Sequence, residues 1–518
     1  MKKRTVTAAG MFAATILFLS LNSFAAANPV LFNGAGSSGA WEATGLAAAQ
    51  ASACGTNVWT KKKGGQGVDG RSSSIPIQVA NIWVVWNTAK TQICSYISVD
   101  SVIGNQLFFA VPRATLQIDS SFIGSAGDNL IPTITDVPLD STVYSKLNNQ
   151  PFNVAPTDIR SEDALFAENR VLATLNTTTY SGLGYGPGPI GTPVLSDFSS
   201  GSVTPVAFAI SGNDPITGLP VPAYTTIDVG AQVVLFVVGT QQTGSTGDFS
   251  NTAAFTNVSK DVLSFALNGT LGYTRDLSNS PGLAAQPLNV LLREPTSGTY
   301  NVTEFQIPRS QELQSTQELG VNPSAPNGNP LNLAGPNGGW RRRVIGNGEM
   351  VTELGNAANG NVLGYGFWST GNFASLTSTA RYLMVDGVDP LFSSYAGGFL
   401  PSCVAPCPGI VTFTNVLNGS YPAWNVLTFT TAKPVPPGVQ ALINDLQSFV
   451  VNTVPDFVPI TSMNVFRSHY NQSGKVGSNG YKANNPEAGG SVQGAVFTVQ
   501  SDLDEITDTG KEIIGFKN

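Results

Sequence analysis

Histidine is nearly missing from this sequence, since His469 is the only one among 518 residues. Most triads of a nucleophile, a base and an orienting acid depend on a histidine base. The sequence also has no Gly-x-Ser-x-Gly turn of the kind that presents a nucleophilic serine. Glycoside hydrolysis by an Asp/Glu pair stays open, although no pair of carboxylates stands out. Catalysis is therefore the weaker of the functional interpretations.

Positive charge is also scarce. The chain has 26 Lys and Arg against 33 Asp and Glu, which gives a formal net charge of −7. After the basic start Met1–Arg4, the longest basic runs are the three-residue Lys61–Lys63 and Arg341–Arg343. Runs this short are usually solvated surface. Nucleic-acid binding needs a basic surface that replaces the counterions around phosphates, so we exclude a nucleic-acid partner.

Long apolar runs are missing after the N-terminus. The basic start is followed by the apolar Met11–Phe24 and by small residues that offer cleavage at Ala25 or Ala27. That order predicts a secretory signal peptide over residues 1–27, and the run is too short for a membrane anchor. The later apolar run Ala231–Thr240 has only the length of a strand. We therefore expect a soluble periplasmic or secreted protein that does not span a membrane.

Cysteine is rare but fits an exported chain, with four residues in all. Four cysteines allow three disulfide connectivities. The simplest joins Cys54 to Cys94 and Cys403 to Cys407. No histidine lies near the second pair, so a metal site there is a weaker interpretation than a small disulfide loop. We predict no metal and no cofactor.

Strands and helices alternate along the chain. Strand-sized runs rich in Val, Ile, Phe and Thr are bounded by Gly, Pro, Asn or Asp, as in IWVVW and PLNVLL. Segments such as Gly39–Gly55 and Gly438–Val454 have apolar residues at helical spacing. This alternation predicts α/β domains, and a mature chain of this length requires more than one core.

Two Gly–Ser loops each lie between a strand and a helix. The first contains Gly36, Ser37 and Ser38, and the second, REPTSGT, contains Arg293 and Ser297-Gly298-Thr299. In such a loop glycine allows a close approach of the backbone, hydroxyls donate hydrogen bonds, and a helix N-terminus favours an anion. Arginine adds a permanent charge with paired donors. An ordinary helix cap without a ligand is the alternative interpretation for either loop.

Together with their surroundings, these loops resemble the periplasmic phosphate-binding proteins of ABC transporters. The resemblance follows the order NGAGSS, APTDIRSEDA, REPTSGTY, VLGYGFWSTGN and NGSYPAWNVLTF, and it covers about two-thirds of the chain. It is clearest between Pro287 and Phe429. In that family a Gly-rich loop, a Ser-bearing loop, an Asp in a turn and an Arg-x-x-x-Ser-Gly-Thr motif surround one oxyanion.

The resemblance implies eleven ligand-binding residues. They are Gly36, Ser37, Ser38, Arg71, Ser72, Ser73, Asp158, Arg293, Ser297, Gly298 and Thr299. Asp158 would accept a hydrogen bond from protonated phosphate and repel sulfate, which has no proton to donate. Its alternative role is an Asx turn or a helix cap. The second Ser-bearing loop is placed at VDGRSSSIP, although this loop leads into an apolar strand-like run where the family has a helix. The segment SYISVDSVIGNQLFFAV has no place in the family pattern.

The resemblance also implies a fold and a function. The expected fold is the two-lobed α/β fold of type II periplasmic binding proteins, with mixed sheets, extra β-rich insertions and a C-terminal extension. We expect the first lobe at residues 28–205 and 418–465, the second at 206–417 and the extension at 466–518. A monomer would capture an oxyanion, first of all phosphate, and deliver it to an ABC permease in the inner membrane.

An extracellular adhesin is the alternative, because charged residues are only 11% of the chain and long polar loops are common. The two interpretations differ in one respect. A binding protein must bring Ser38, Asp158, Arg293 and Thr299 together in one cleft, whereas an adhesin need not.

Overall fold

The structure, a computed structural model, describes most of the chain between residues 28 and 467. The described residues are 28–50, 53–62, 80–159, 210–213, 220–222, 224–267, 271–278, 280–293, 297–307, 339–344, 346–368, 376–402, 409–467 and 514–516. Several sequence predictions fall outside these ranges. They are the signal peptide, the loop with Arg71, Ser72 and Ser73, the pair Cys403 and Cys407, and most of the C-terminal extension.

Strands and helices alternate along the described chain. The strands are β1 Val30–Gly36, β2 Asn57–Lys61, β3 Ile82–Trp86, β4 Ile93–Ser98, β5 Val154–Thr157, β6 Ile210–Asn213, β7 Pro220–Pro222, β8 Tyr224–Gly239, β9 Asn257–Val258, β10 Asn289–Arg293, β11 Arg341–Val344, β12 Val362–Phe367, β13 Ala380–Tyr382, β14 Met384–Val385, β15 Trp424–Ala432, β16 Phe457–Pro459, β17 Val465–Arg467 and β18 Ile514–Phe516. The helices are α1 Ala40–Ala48, α2 Ser101–Phe109, α3 Ser141–Leu147, α4 Lys260–Leu267, α5 Gly298–Gln306, α6 Gly346–Leu354, α7 Thr414–Leu417 and α8 Pro437–Gln447. The predicted α/β class is confirmed.

One mixed sheet runs through the molecule in the order β11-β10-β12-β8-β15-β5-β1-β4-β3-β2, and β13 and β16 also pair with β8. We call β1–β5 with β15 the first lobe, and β10–β12 with the C-terminal part of β8 the second lobe. Strand β1 is parallel to β4 and β5, and β10 is parallel to β11 and β12. The side chains of β1 and β10 are nearly all buried, as expected for parallel strands covered on both faces.

Two long antiparallel strands join the lobes. The N-terminal part of β8 pairs with β15, and its C-terminal part pairs with β12. Strand β15 lies within the predicted return segment 418–465. The residue bounds of the two lobes stay a prediction.

The first lobe has three layers. Helices α1 and α8 pack on one face of the sheet, where Ala43 and Leu442 belong to one apolar cluster. Helices α2 and α3 cover the other face, where Ile103 and Val143 belong to a second cluster. A third cluster contains the buried residues of the second lobe, such as Leu291 and Tyr365, and extends to Val102 in the first. Because both faces are covered, only the ends of the strands can present polar groups to a ligand.

Two further predictions concern the cysteines and the apolar runs. Cys54 and Cys94 form the predicted disulfide, with their Cα atoms 5.9 Å apart. The apolar run Ala231–Thr240 lies largely in β8. Within the described ranges, every helix is too short or too polar to cross a bilayer.

Candidate functional site

The candidate site lies where four strands end. Strands β1, β4 and β5 are followed by Ser37, Asp100 and Asp158, respectively, and β10 ends at Arg293, four residues before Ser297. In open α/β sheets, ligands bind beyond the carboxyl ends of the strands. Three of these strands lead directly into helices, whose first N–H groups have no partner within the helix. The arrangement therefore gathers donors from both lobes.

The loop between β1 and α1 is held in place by its backbone. The N–H of Ser37 donates to the carbonyl of Pro156 at 2.8 Å, and the hydroxyl of Tyr96 donates to the carbonyl of Ser37 at 2.6 Å. A Cβ atom on Gly36 would collide with the Pro156 carbonyl, which explains the glycine at this position. The loop is thus fixed to β5, the strand that Asp158 follows.

The same loop is also linked to the strand that joins the lobes. The side-chain amide of Gln232, on β8, donates to the carbonyl of Gly39 at 2.7 Å. A Cβ atom on Gly39 would lie 2.6 Å from Gln232 Oε1 and 2.8 Å from a ring carbon of Phe367, on β12. The start of α1 therefore contacts both β8 and the second lobe.

Asp158 is the acidic centre of the site and is only 4% exposed. Its Oδ1 accepts a hydrogen bond from the hydroxyl of Ser101, and its N–H donates to Ser101 Oγ at 3.2 Å. Burial raises the pKa of Asp158 above its ordinary value of 3.8, while hydrogen bonds from Ser101 and Ser37 and the charge of Arg293 oppose this rise. The carboxyl group thus contacts other residues of the candidate site.

Gly298 brings the second lobe against this carboxyl group. A Cβ atom on Gly298 would collide with Ser101 Oγ and with the carboxyl group of Asp158. Residue 298 begins α5, and Ser297 caps that helix by accepting a hydrogen bond from the N–H of Tyr300 at 3.3 Å. The first turn of α5 therefore lies directly on the acidic centre, with Thr299 also buried.

Arg293 ends β10 and is completely buried. Its Nη1 donates to Oδ1 of Asn347, and its Nη2 lies 3.4 Å from Oδ1 of Asp100. Asp100 immediately precedes α2 in the first lobe and has φ 76° and ψ 154°, a combination that is costly for a residue other than glycine. A buried guanidinium needs such a partner, and here the partner lies in the opposite lobe.

The charged groups named above give the site no excess of positive charge. Arg293 contributes one positive charge, and the carboxyl groups of Asp100 and Asp158 lie close to it. A bound anion would therefore be held by hydrogen-bond donors rather than by excess positive charge. Hydroxyls and backbone N–H groups at helix starts are such donors.

The structure brings together eight of the eleven predicted residues. They are Gly36, Ser37, Ser38, Asp158, Arg293, Ser297, Gly298 and Thr299, and the other three lie outside the described residues. Asp100, Ser101 and Asn347 were not predicted from the sequence. Ser101 lies between the first loop and Asp158 along the chain, and the predicted Ser-bearing loop VDGRSSSIP lies outside the described residues. The signal was present, since SYIS lies in β4 and Asp100 and Ser101 stand at the start of α2.

Metal binding has no support among the residues that the structure describes. In those ranges, no three His, Cys, Asp or Glu side chains are grouped so that they could hold a metal ion.

Comparison with known proteins gives structural matches alone. No protein-family model and no curated protein matches the chain. Among solved structures, it is similar to a phosphate binding protein from Stenotrophomonas maltophilia, at 14% identity and a TM-score of 0.34, covering 83% of this chain and 91% of the other. It is similar to an ABC-type phosphate transport receptor from Vibrio cholerae, at 14% identity and a TM-score of 0.27, covering 46% and 73%.

A third similar structure is a human phosphate binding apolipoprotein, at 12% identity and a TM-score of 0.31, covering 61% of this chain and 80% of the other. All three similarities lie below 25% identity and below a TM-score of 0.5. Similarities this distant do not assign a ligand, which we infer from the chain's own side chains.

Proposed function

We propose that this protein binds an oxyanion, first of all inorganic phosphate, between its two lobes. The observation that carries the proposal is the contact of Gly298 with Ser101 and Asp158, which places the start of α5 on the acidic centre of the first lobe. An adhesin would have no need to bring these residues together. The donors would be hydroxyls of both lobes, the first N–H groups of α5 and the guanidinium of Arg293.

Asp158 would select the anion. At neutral pH phosphate carries one or two protons, so it can donate a hydrogen bond to a carboxylate, whereas sulfate cannot. A carboxylate that faces sulfate would add repulsion without a compensating hydrogen bond. Binding does not depend on excess positive charge in this proposal, since each charge-assisted hydrogen bond to the anion contributes about 1.5–3 kcal/mol.

The proposed role in the cell is capture for uptake. The first lobe would comprise residues 28–205 and 418–465 and the second residues 206–417, and they would close over the anion around β8 and β15. The exported protein would then present its closed form to an ABC permease. Binding needs no covalent step.

The test is calorimetric titration of the mature, ligand-free protein with phosphate, sulfate and a buffer blank. We expect saturable binding of phosphate and none of sulfate. Thr299→Val should abolish phosphate binding while the thermal midpoint shifts little, since valine has nearly the same shape but no hydroxyl. No binding of either anion by the folded wild-type protein would contradict the proposed function.

A further inference from the structure

Asn347 links the two halves of the candidate site. It is the second residue of α6, in the second lobe, and is 8% exposed. Its Nδ2 atom donates to Oγ of Ser38, in the first lobe, at 2.7 Å. Its Oδ1 atom accepts a hydrogen bond from Nη1 of Arg293. One amide side chain therefore joins the arginine of one lobe to a serine of the other.

The chemistry of these partners fixes the direction of both hydrogen bonds that join Arg293, Asn347 and Ser38. A guanidinium can only donate, so the atom of Asn347 that faces Arg293 must be the oxygen. The NH₂ group must then face Ser38 and donate to it. A hydroxyl has one proton and can accept through its lone pairs. With Asn347 donating to its oxygen, Ser38 is left with a proton that it can donate elsewhere.

We infer that Asn347 is a positioning residue that keeps the Ser38 hydroxyl a hydrogen-bond donor toward an anion held between the lobes. This inference rests on the proposed function and deepens it. An anion can only accept hydrogen bonds, so a serine that donated its proton to a protein group would offer it a lone pair instead. Asn347 prevents that arrangement and also ties the lobes together across the site.

Replacing Asn347 by aspartate is the sharpest variant, because it changes the direction of the bond and hardly changes the shape. The carboxylate would still accept from Arg293 but would also accept the proton of Ser38, and it would add a negative charge beside the anion. We expect Asn347→Asp to weaken phosphate binding at least about 100-fold. Asn347→Ala, which removes the donor without adding charge, should weaken it about 10-fold.

A double-mutant cycle separates a positioning role from a general effect on folding. If Asn347 acts through Ser38, then Asn347→Ala should change affinity less than about twofold when Ser38→Ala is already present. The control is Asn289→Ala, on β10. Asn289 is also a buried asparagine of the second lobe, with Nδ2 donating to the carbonyl of Asn359 at 2.7 Å. The Asn289→Ala variant should have a lower thermal midpoint and an unchanged phosphate affinity.

The experiment titrates the full mature protein with inorganic phosphate by calorimetry. Loss of affinity in both variants, together with its disappearance in the Ser38→Ala background, would support the inference. Wild-type affinity in Asn347→Asp or Asn347→Ala, or an equal loss in the presence and absence of Ser38, would overturn it. Failure of the wild-type protein to bind any oxyanion would instead contradict the proposed function, so the two failures can be told apart.

Discussion

Asp158 is a residue at which folding and the proposed ligand make opposite demands. A carboxylate at a site this buried loses its hydration, and desolvation is the largest cause of its raised pKa. Hydrogen bonds from Ser101 and Ser37 recover only part of that loss. The ligand, however, requires the carboxylate as an acceptor. Residues kept at such a cost are typical of functional sites.

Asp158→Asn should therefore stabilise the ligand-free protein. A carboxyl group whose pKa is raised by folding contributes stability at pH values below its pKa in the unfolded chain, 3.8. It loses that contribution as the pH rises through its pKa in the folded protein. The gain in unfolding free energy of the variant over the wild type should thus grow as the pH rises from about 4, and then level off. Urea unfolding between pH 4 and pH 8, without phosphate, measures this difference.

Asp456→Asn provides the matched control. Asp456 is 1% exposed, and burial, followed by the charge of Glu42, raises its pKa well above 3.8. Neither of its carboxylate oxygens has a hydrogen-bond partner in another residue of the described chain. The variant should show the same pH-dependent gain in stability but bind phosphate as the wild type does. A gain in sulfate binding is expected for Asp158→Asn alone, and equal behaviour of the two variants would contradict the role given to Asp158.

At the scale of an element, the start of α5 also depends on one residue. Its position is set by the missing side chain of Gly298, which lets the first turn touch Ser101 and Asp158. Any larger residue must move the helix, the loop or the opposite lobe, because the atoms in the way belong to buried groups.

Gly298→Ala should abolish phosphate binding by holding the lobes apart. The added methyl group would overlap Ser101 and Asp158, so we expect no saturable heat with phosphate and a larger radius of gyration in small-angle scattering. The control is Gly348→Ala in α6, where an added Cβ meets nothing within 4 Å. That variant should bind phosphate normally and should be slightly more stable, since alanine favours a helix. Normal phosphate affinity in Gly298→Ala would show that the two lobes do not meet there.

The sequence predicted the junction of β10 and α5 well but missed the junction of β4 and α2. Arg293 and Ser297–Thr299 follow an apolar run and form a local motif, so their place was visible. All nine residues of α2 are buried, and a helix that is buried all round shows no amphipathic period. Ser101 was therefore hidden in a run without a recognisable period. Asn347 and Ser38 are 309 residues apart, and no local pattern could connect them.

At the scale of the whole molecule, the first lobe is held together by two long-range links. One is the disulfide between Cys54, after α1, and Cys94, in β4, which closes a loop of 40 residues. The other is the pairing of β5 with β15. Both links fix the sheet whose strand ends carry the first-lobe part of the candidate site.

Replacing both cysteines with alanine should lower the unfolding free energy by about 4 kcal/mol, the loop-closure estimate for a loop of this length. Phosphate affinity should change less than twofold, because Cys94 lies six residues before Asp100, a distance of about 20 Å along an extended chain. Urea unfolding and calorimetric titration of the double variant measure the two effects. An unchanged unfolding free energy, or a large loss of affinity, would contradict this account.

The pairing of β5 with β15 also sets the order in which the protein can assemble. Thr157 and Thr428 are register partners 271 residues apart, and their hydroxyl oxygens lie 3.3 Å from each other. A chain that emerges with its N-terminus first must therefore keep the outer edge of β5 unpaired until nearly the whole second lobe has been made. An open strand edge invites pairing with other chains. An unfinished chain thus exposes this edge while the 271 residues from Thr157 to Thr428 are added.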